Sequence, residues 1–296
     1  MSMKSGFIVV DKDSGFTSHD VVAIARKSLS ERRVGHAGTL DPFATGVLVL
    51  GVGNGTRLLQ YITDGKKSYE GVIRLGSATT TDDLTGETVS SKLTGLSEIT
   101  DDAIIFALEQ QIGEIYQRPS NYSAIKIDGK RAYQLARAGV DIELKERRVS
   151  IYSLKVLQIA RHELGIDIQI LVDCSAGTYI RSIARDVGER LAVGGHLIAL
   201  RRTAVMPFTL AEAMNIDQLR TNPTLLSIDG AIERIFPRRT LTAEEVASVS
   251  HGRSIELAAE REQKCAAFTP EGTFIALLAE KGGRAQPVLV ISRIEQ

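Results

Sequence analysis

One carboxylate in this chain stands where an acid has chemistry open to it. In "GHAGTLDPFATGVLVLG", Gly35 to Gly51, a glycine-punctuated polar turn gives way to a β-like apolar run, and Asp41 sits at the join between Leu40 and the sequence Pro42-Phe43-Ala44. Such neighbours keep water away, and desolvation raises a carboxyl pKa above its ordinary value unless a cation compensates. A chain that used this acid as a nucleophile would need that cation. The fragment "CSAGTYIRS" offers one, because Arg181 lies at the start of an expected helix that follows directly from a core-type strand. That is a rigid mount for a charged group. Plainer readings exist for both residues. Asp before Pro is a common turn former that caps nearby backbone N–H groups, and an arginine at a helix start also serves as a surface ion-pair residue.

The elements that must position these groups follow from periodicity. "SGFIVVDKDSG" reads as a short strand ending in a turn, and "TSHDVVAIARKSL" as a helix capped by Thr17 or Ser18 with Val21, Ile24, Ala25 and Leu29 on one face. "GVLVLGVGNG" reads as a buried strand, "TRLLQYITDGKK" as a short helix and "SYEGVIRLG" as another strand entering a Thr- and Asp-rich loop. Thr100 caps a helix over "TDDAIIFALEQQIG", whose two first-turn acids complement the helix dipole. In "GIDIQILVDCSAG" the residues Ile166, Ile168, Ile170, Val172 and Cys174 alternate with more polar ones, the pattern of a strand with one buried face. The helix after it carries an apolar stripe of Ile180, Ile183, Ala184, Val187 and Leu191, with Gly194-Gly195 expected to stop it. Several strands follow one another without a long crossover. The expected fold is therefore α+β, a mixed and largely antiparallel central sheet with flanking helices. Near "IERIFPRR" the pattern breaks; a helix over "TAEEVASVSHG" and strands over "KCAAFTP", "FIALLAE" and "PVLVISRI" suggest a small, mostly β C-terminal domain.

A length of 296 residues fits one large domain plus a small one. No apolar run approaches a membrane span, and the start "MSMKSGFIVVDKDSG" lacks the apolar region of a signal peptide, so a cytoplasmic, soluble protein is expected. Cys174 and Cys265 are far apart and without a CxxC partner, which suggests buried thiols rather than a disulfide or a zinc site. "GVGNGT" is neither GxGxxG nor a phosphate loop, the histidines form no HExxH pair, and GxSxG is absent. Nucleotide, metal and serine-hydrolase chemistry thus find no motif, and no cofactor is expected. The 36 basic and 36 acidic residues cancel, yet they are not evenly spread. Ser77 to Glu114 holds eight acids and one lysine, whereas Ile115 to Tyr152 holds eight bases and four acids. A basic surface inside a neutral total is one reading, and ordinary solvated faces are the other.

Five blocks in order, "GHAGTLDPFATGVLVL", "KKSYEGVIRLG", "RPSNYSAIKIDGKRAYQLAR", "CSAGTYIRSIARDVGERL" and "GGHLIALRRTAVMPF", make the chain resemble the TruB family of tRNA pseudouridine synthases up to about Asn222. The family usually has Lys-Pro where this chain has Lys12-Asp13, which bears on the local turn. The resemblance implies isomerisation of the uridine at position 55 in the T-loop of tRNA. It also implies that Asp41 is the nucleophile, that Tyr69 stacks on the flipped base and takes part in proton removal, and that Arg181 pairs with the aspartate. Tyr179 and Leu200 correspond to base-pocket residues, and His36 to a histidine that packs against the unfolded T-loop. Residues from about 115 to 148 correspond to an insertion that clamps RNA, with Arg118, Lys126, Lys130, Arg131 and Arg137 available to phosphates. The division implied is a catalytic domain over 1–237 and, from a weaker resemblance, a PUA-like RNA-binding domain over 238–296, for which a stabilising β appendage is the other reading. The partner is tRNA, with no membrane and no obligatory protein partner. The chemistry suits a chain without cofactor or metal motifs, because a glycosidic bond is broken and remade within one nucleotide. Stacking can offset the few kcal/mol of base extrusion, and Tyr69 and Tyr179 suit it, although tyrosines beside strands are commonly packing residues. Two other readings are a guide-RNA-dependent synthase subunit and a non-catalytic RNA-binding or RNA-folding module on the same scaffold. The short N-terminus and the "HAGTLDPFATG" wording favour the stand-alone type, and the joint presence of Asp41, Tyr69 and Arg181 favours a catalyst.

Overall fold

Strand Gly6–Lys12 pairs antiparallel with strand Thr45–Val52, and together they begin a nine-stranded sheet. The structure, a computed structural model, describes residues 5–123, 125–127, 129–140, 142, 144–258 and 264–291. The sheet continues in the order Gly195–Val205, Lys67–Leu75, Gly165–Cys174, Arg147–His162 and Gly113–Gln117. The short strands Val34–His36 and Phe208–Thr209 pair onto it. All of its ladders are antiparallel except the contact of Arg201 and Arg202 with Thr45 and Gly46. This is the expected α+β architecture with a mixed, largely antiparallel sheet.

The helices form where capping and periodicity place them. Thr17 and Asp20 make a reciprocal capping box for Ser18–Leu29, whose Val21, Val22, Ala25 and Leu29 are buried against the first strands. Thr100 caps Asp101–Glu109 through the N–H of Ala103. Helix Ile180–Arg190 buries Ile180, Ile183, Ala184 and Val187 on the same core as Ile168, Ile170 and Val172. It ends one residue before Leu191, earlier than expected. The glycines that follow serve close approach more than termination: a Cβ on Gly188 would lie 2.1 Å from the Gly195 nitrogen, so helix and strand touch backbone to backbone.

Two long strands have bounds that the sequence pattern does not mark. Arg147–His162 runs for 16 residues with two register shifts, which break its period-two signal, and Gly195–Val205 is bulged at two points as well. Residues 238–291 contribute helix Ala243–Ser250 and a four-stranded sheet of Arg238–Thr240, Cys265–Phe268, Phe274–Lys281 and Arg284–Val290. Ser292 to Ile294 of the last expected strand lie outside the described residues. Phe268, Phe274 and Leu277 of this small sheet share one apolar cluster with Phe7, Phe208 and Ile232 of the body. Cys174 and Cys265 are buried, and neither forms a disulfide. Among the described residues no helix is long and apolar enough to cross a membrane.

Candidate active site

The segment that carries Asp41 links strand Val34–His36 to the strand it pairs with, Thr45–Val52. Three buried polar side chains pin it. The Ser18 hydroxyl, in the first turn of its helix, accepts from the Leu40 N–H at 2.9 Å. Lys12 Nζ donates to the carbonyls of Asp13, Phe16 and Pro42, so the turn forms with Asp13 in place of proline. Arg202, 1% exposed, donates to the carbonyls of Val47, Thr39 and Gly38. Gly46, at φ 103°, permits that approach, since a Cβ there would lie 2.2 Å from the Arg202 carbonyl oxygen. Burial lowers the Lys12 pKa to about 8, with Asp41 opposing.

Arg181 reaches the acid from the opposite wall. Its Nη2 donates to Asp41 Oδ1 at 3.2 Å, while Nε lies 2.9 Å from Oδ2 with its hydrogen not aimed at the carboxylate, an ionic contact only. The same guanidinium stands 3.3 Å from Asp83, whose other oxygen accepts from the hydroxyls of Thr81 and Thr85. It also donates to the Thr81 and Tyr122 carbonyls and to the Ser120 hydroxyl. The Arg181 side chain is 4% exposed and Asp41 30%. Desolvation pushes the Asp41 carboxyl above the usual range, Arg181 pulls it down and Asp83 raises it again. The arginine is thus rigid, whereas one face of the acid is open.

That face looks into a cleft of about 270 Å³ lined by Leu40, Tyr69, Tyr179, Leu200, Arg202 and the loop Ser175–Thr178, among others. Five of the expected site residues therefore meet in one place: Asp41, Tyr69, Tyr179, Arg181 and Leu200. Tyr69 is 9% exposed, and burial raises its phenol pKa while the Arg202 charge lowers it. The phenol is neutral at physiological pH. Arg147 lies over the Tyr179 ring, 5.3 Å from its centre. Another expected residue, His36, is absent from the cleft lining; its ring meets His19 edge-on at 5.5 Å. Burial, with His19 second, drops the His36 pKa to about 4, so it presents an uncharged ring.

Of the five expected phosphate-facing residues, Arg118, Lys126, Lys130 and Arg137 are exposed and Arg131 is half-buried. Lys126–Ile127 and Lys130–Arg131 form a two-stranded pair, and Arg137 ends helix Ala132–Arg137. Sequence reasoning missed Asp83, Lys12 and Arg202 as site residues. It also missed Ser123, whose buried hydroxyl borders the cleft without a hydrogen-bond partner among the described residues. Asp83 was hidden because "TTTDDLTGE" reads as a solvated turn, and Lys12 because a lysine in "DKDSG" reads as surface. Among the described residues, no three His, Cys, Asp or Glu side chains gather as a metal site.

A mixed sheet of this order belongs to the pseudouridine synthase fold. A solved H/ACA RNP bound to a substrate RNA containing 2′-deoxyuridine superimposes with a TM-score of 0.69 at 26% identity, covering 97% of this chain and 84% of the other. A Cbf5-Nop10-Gar1 complex matches with the same TM-score of 0.69 at 28% identity, over 97% of this chain and 84% of that one. Residues 26–180 match the model of the TruB family pseudouridylate synthase N-terminal domain. Residues 181–228 match the tRNA pseudouridylate synthase B C-terminal domain, and 236–292 the tRNA pseudouridine synthase II C-terminal model. The tRNA pseudouridine synthase B of Arthrobacter sp. (strain FB24) is 46% identical over 98% of this chain and 97% of its own length. That of Mycobacterium sp. (strain KMS) is 49% identical over 97% and 96%. The chain belongs to the TruB family of pseudouridine synthases.

Proposed function

We propose that this enzyme isomerises the uridine at position 55 in the T-loop of tRNA to pseudouridine, with Asp41 as the nucleophile. The observation that carries the reading is the Asp41–Arg181 pair at 2.9 Å in a cleft walled by Tyr69, Tyr179 and Leu200. The target base leaves its stack and lies against these side chains, which recover part of the extrusion cost of a few kcal/mol. The Asp41 carboxylate attacks the nucleotide, and the bond from ribose to the uracil nitrogen breaks. Uracil turns and its carbon bonds to the ribose as the bond between Asp41 and the nucleotide breaks and the carboxylate is regenerated; that carbon then gives up its proton and the freed nitrogen ends with one. Substrate and product are isomers, so no redox equivalent or phosphate is consumed. Arg181 keeps the nucleophile ionised and aimed. Tyr69 supplies a stacking face and a neutral hydroxyl; its raised pKa makes it a poor phenolate base at neutral pH.

We assign residues 1–237 to catalysis and 238–296 to a PUA-like module that contacts the acceptor end. The insertion over 115–148 clamps the T-loop, with Arg118, Lys126, Lys130, Arg131 and Arg137 toward phosphates. His36 packs its uncharged ring against the opened T-loop. Identity of 46% and 49% to enzymes named for tRNA, against 26% and 28% to the H/ACA proteins, favours action without a guide RNA. The test is incubation of the purified protein, alone, with an unmodified tRNA transcript, followed by mapping of pseudouridine. Product confined to position 55 is expected. No product, or product only after a guide RNA is added, overturns the reading.

A further inference from the structure

Gln117 is wholly buried at the end of strand Gly113–Gln117, where an unpaired amide would be costly. Both ends of its carboxamide are bonded. The carboxamide oxygen accepts from the Tyr179 N–H at 2.8 Å and the carboxamide nitrogen donates to the Tyr179 carbonyl at 3.0 Å. A side chain here does what a neighbouring β-strand does for a peptide group. The need is local: strand Gly165–Cys174 has ended, helix Ile180–Arg190 has not begun, and Tyr179 stands at its N-cap without a side-chain cap of its own. Two residues later comes Arg181.

The residues after Gln117 continue the same attachment. The Arg118 carbonyl accepts from the Ser182 hydroxyl at 2.9 Å and from Arg185 at 2.8 Å. The Ser120 hydroxyl donates to the Thr81 carbonyl at 3.2 Å and accepts from Arg181 at 3.3 Å, and the Tyr122 carbonyl accepts from Arg181 at 3.1 Å. The root of the basic insertion is thereby fastened to the first turn of the arginine helix, group by group. Whatever moves the insertion also bears on the guanidinium that faces Asp41.

We propose that Gln117 is a positioning residue for the isomerisation: its paired bonds to Tyr179 fix the start of the arginine helix, and so the aim of Arg181 at Asp41, to the root of the insertion. This rests on the reading of Asp41 as the nucleophile on a tRNA uridine. Gln117 touches no substrate, so its loss should slow the chemical step more than it weakens RNA binding. Gln117→Met keeps length and volume but offers neither amide group.

The test compares wild type, Gln117→Met and Ser120→Ala on an unmodified tRNA transcript, by single-turnover kinetics at saturating enzyme and by filter binding. A merely structural role lowers the reacting fraction, the amplitude, and leaves the rate constant of the folded molecules alone. The expected result for Gln117→Met is a rate constant at least tenfold lower with Kd within threefold. Ser120→Ala, which removes one contact to Arg181, is expected to fall by two- to fivefold. A wild-type rate constant in Gln117→Met overturns the proposal, as does a loss of binding as large as the loss of rate. Should Gln117→Met not fold, Ser120→Ala decides, and a wild-type rate constant there overturns it. A wild-type enzyme that makes no pseudouridine at all condemns the parent reading instead.

Discussion

Around Asp41, Lys12, Arg181 and Arg202 are all buried, and every one is bonded to two or more backbone carbonyls. In the insertion, Lys126, Lys130 and Arg137 stand in solvent on elements two to six residues long. The first set has lost its hydration and regained it from the protein, which fixes each charge in place. The second keeps its water and its rotamers. Buried cations of this kind act through where they are, and exposed ones through how many there are. Substitution in the cleft should therefore be sharp and insensitive to salt, and substitution in the insertion graded and salt-dependent.

The comparison breaks most visibly at Asp41. Asp41→Asn should reduce pseudouridine formation by about a thousandfold or more while tRNA Kd stays within about tenfold, or roughly 1.4 kcal/mol, since the amide keeps the shape but not the nucleophile. Turnover near wild type in a gel-based or mass-spectrometric pseudouridine assay sinks the assignment. Next comes Arg181→Met, which leaves Asp41 and Asp83 without their shared cation. Removing one partner of a buried pair costs about 3–5 kcal/mol, so urea unfolding should show a large drop in midpoint together with lost activity. Equal stability to wild type would mean that the two acids are already solvated.

The pH dependence sharpens the same contrast. Burial holds the Asp41 carboxyl above its ordinary 3.8, and catalysis needs the ionised form. The single-turnover rate should fall on the acid side with a midpoint above 3.8, and Asp83→Asn should move that midpoint down, because the second carboxylate is one cause of the rise. For stability the sign is opposite to that of an ordinary ion-paired acid. A folded-state pKa raised above the unfolded value contributes stability fully below the unfolded value, and this contribution is lost as pH rises through the folded one. A rate profile flat across that range removes Asp41 as a titrating nucleophile. The smallest effect belongs to the insertion: Lys130→Ala with Arg131→Ala should leave unfolding within about 0.5 kcal/mol of wild type. It should make the slope of log Kd against log salt shallower by up to about two. An unchanged slope would take those side chains off the phosphates.

What the sequence disclosed and what it concealed divide along the same line. Asp41 and Arg181 were legible because each sits in a short stretch whose local pattern is unusual, an acid between Leu40 and Pro42 and a strand running straight into a helix at "CSAGTYIR". The alternation in Gly165–Cys174 and the cap at Thr17 were equally local, and both appear in the structure where expected. Asp83, Lys12, Arg202 and Gln117 were not legible, since what makes each important is a partner at least 30 residues away in sequence: Arg181, Pro42, Val47 and Tyr179. A polar residue in a polar stretch gives no sign that the fold will bury it. His36 illustrates the reverse, a residue known from its motif whose ring turns to His19 rather than into the cleft.

The apolar cluster that joins Phe268, Phe274 and Leu277 to Phe7, Phe208 and Ile232 has a consequence for how the protein is made and kept. A chain interrupted after Pro237 would bare the body's half of that cluster to water. The Gly6–Lys12 strand contributes Phe7 and Val9 to it, and Lys12 at the end of that strand holds the Pro42 carbonyl beside Asp41, so the damage would reach the turn that carries the acid. An incomplete copy would therefore turn an apolar face to solvent, and the last strands of the chain serve as the cover that the body's own core requires.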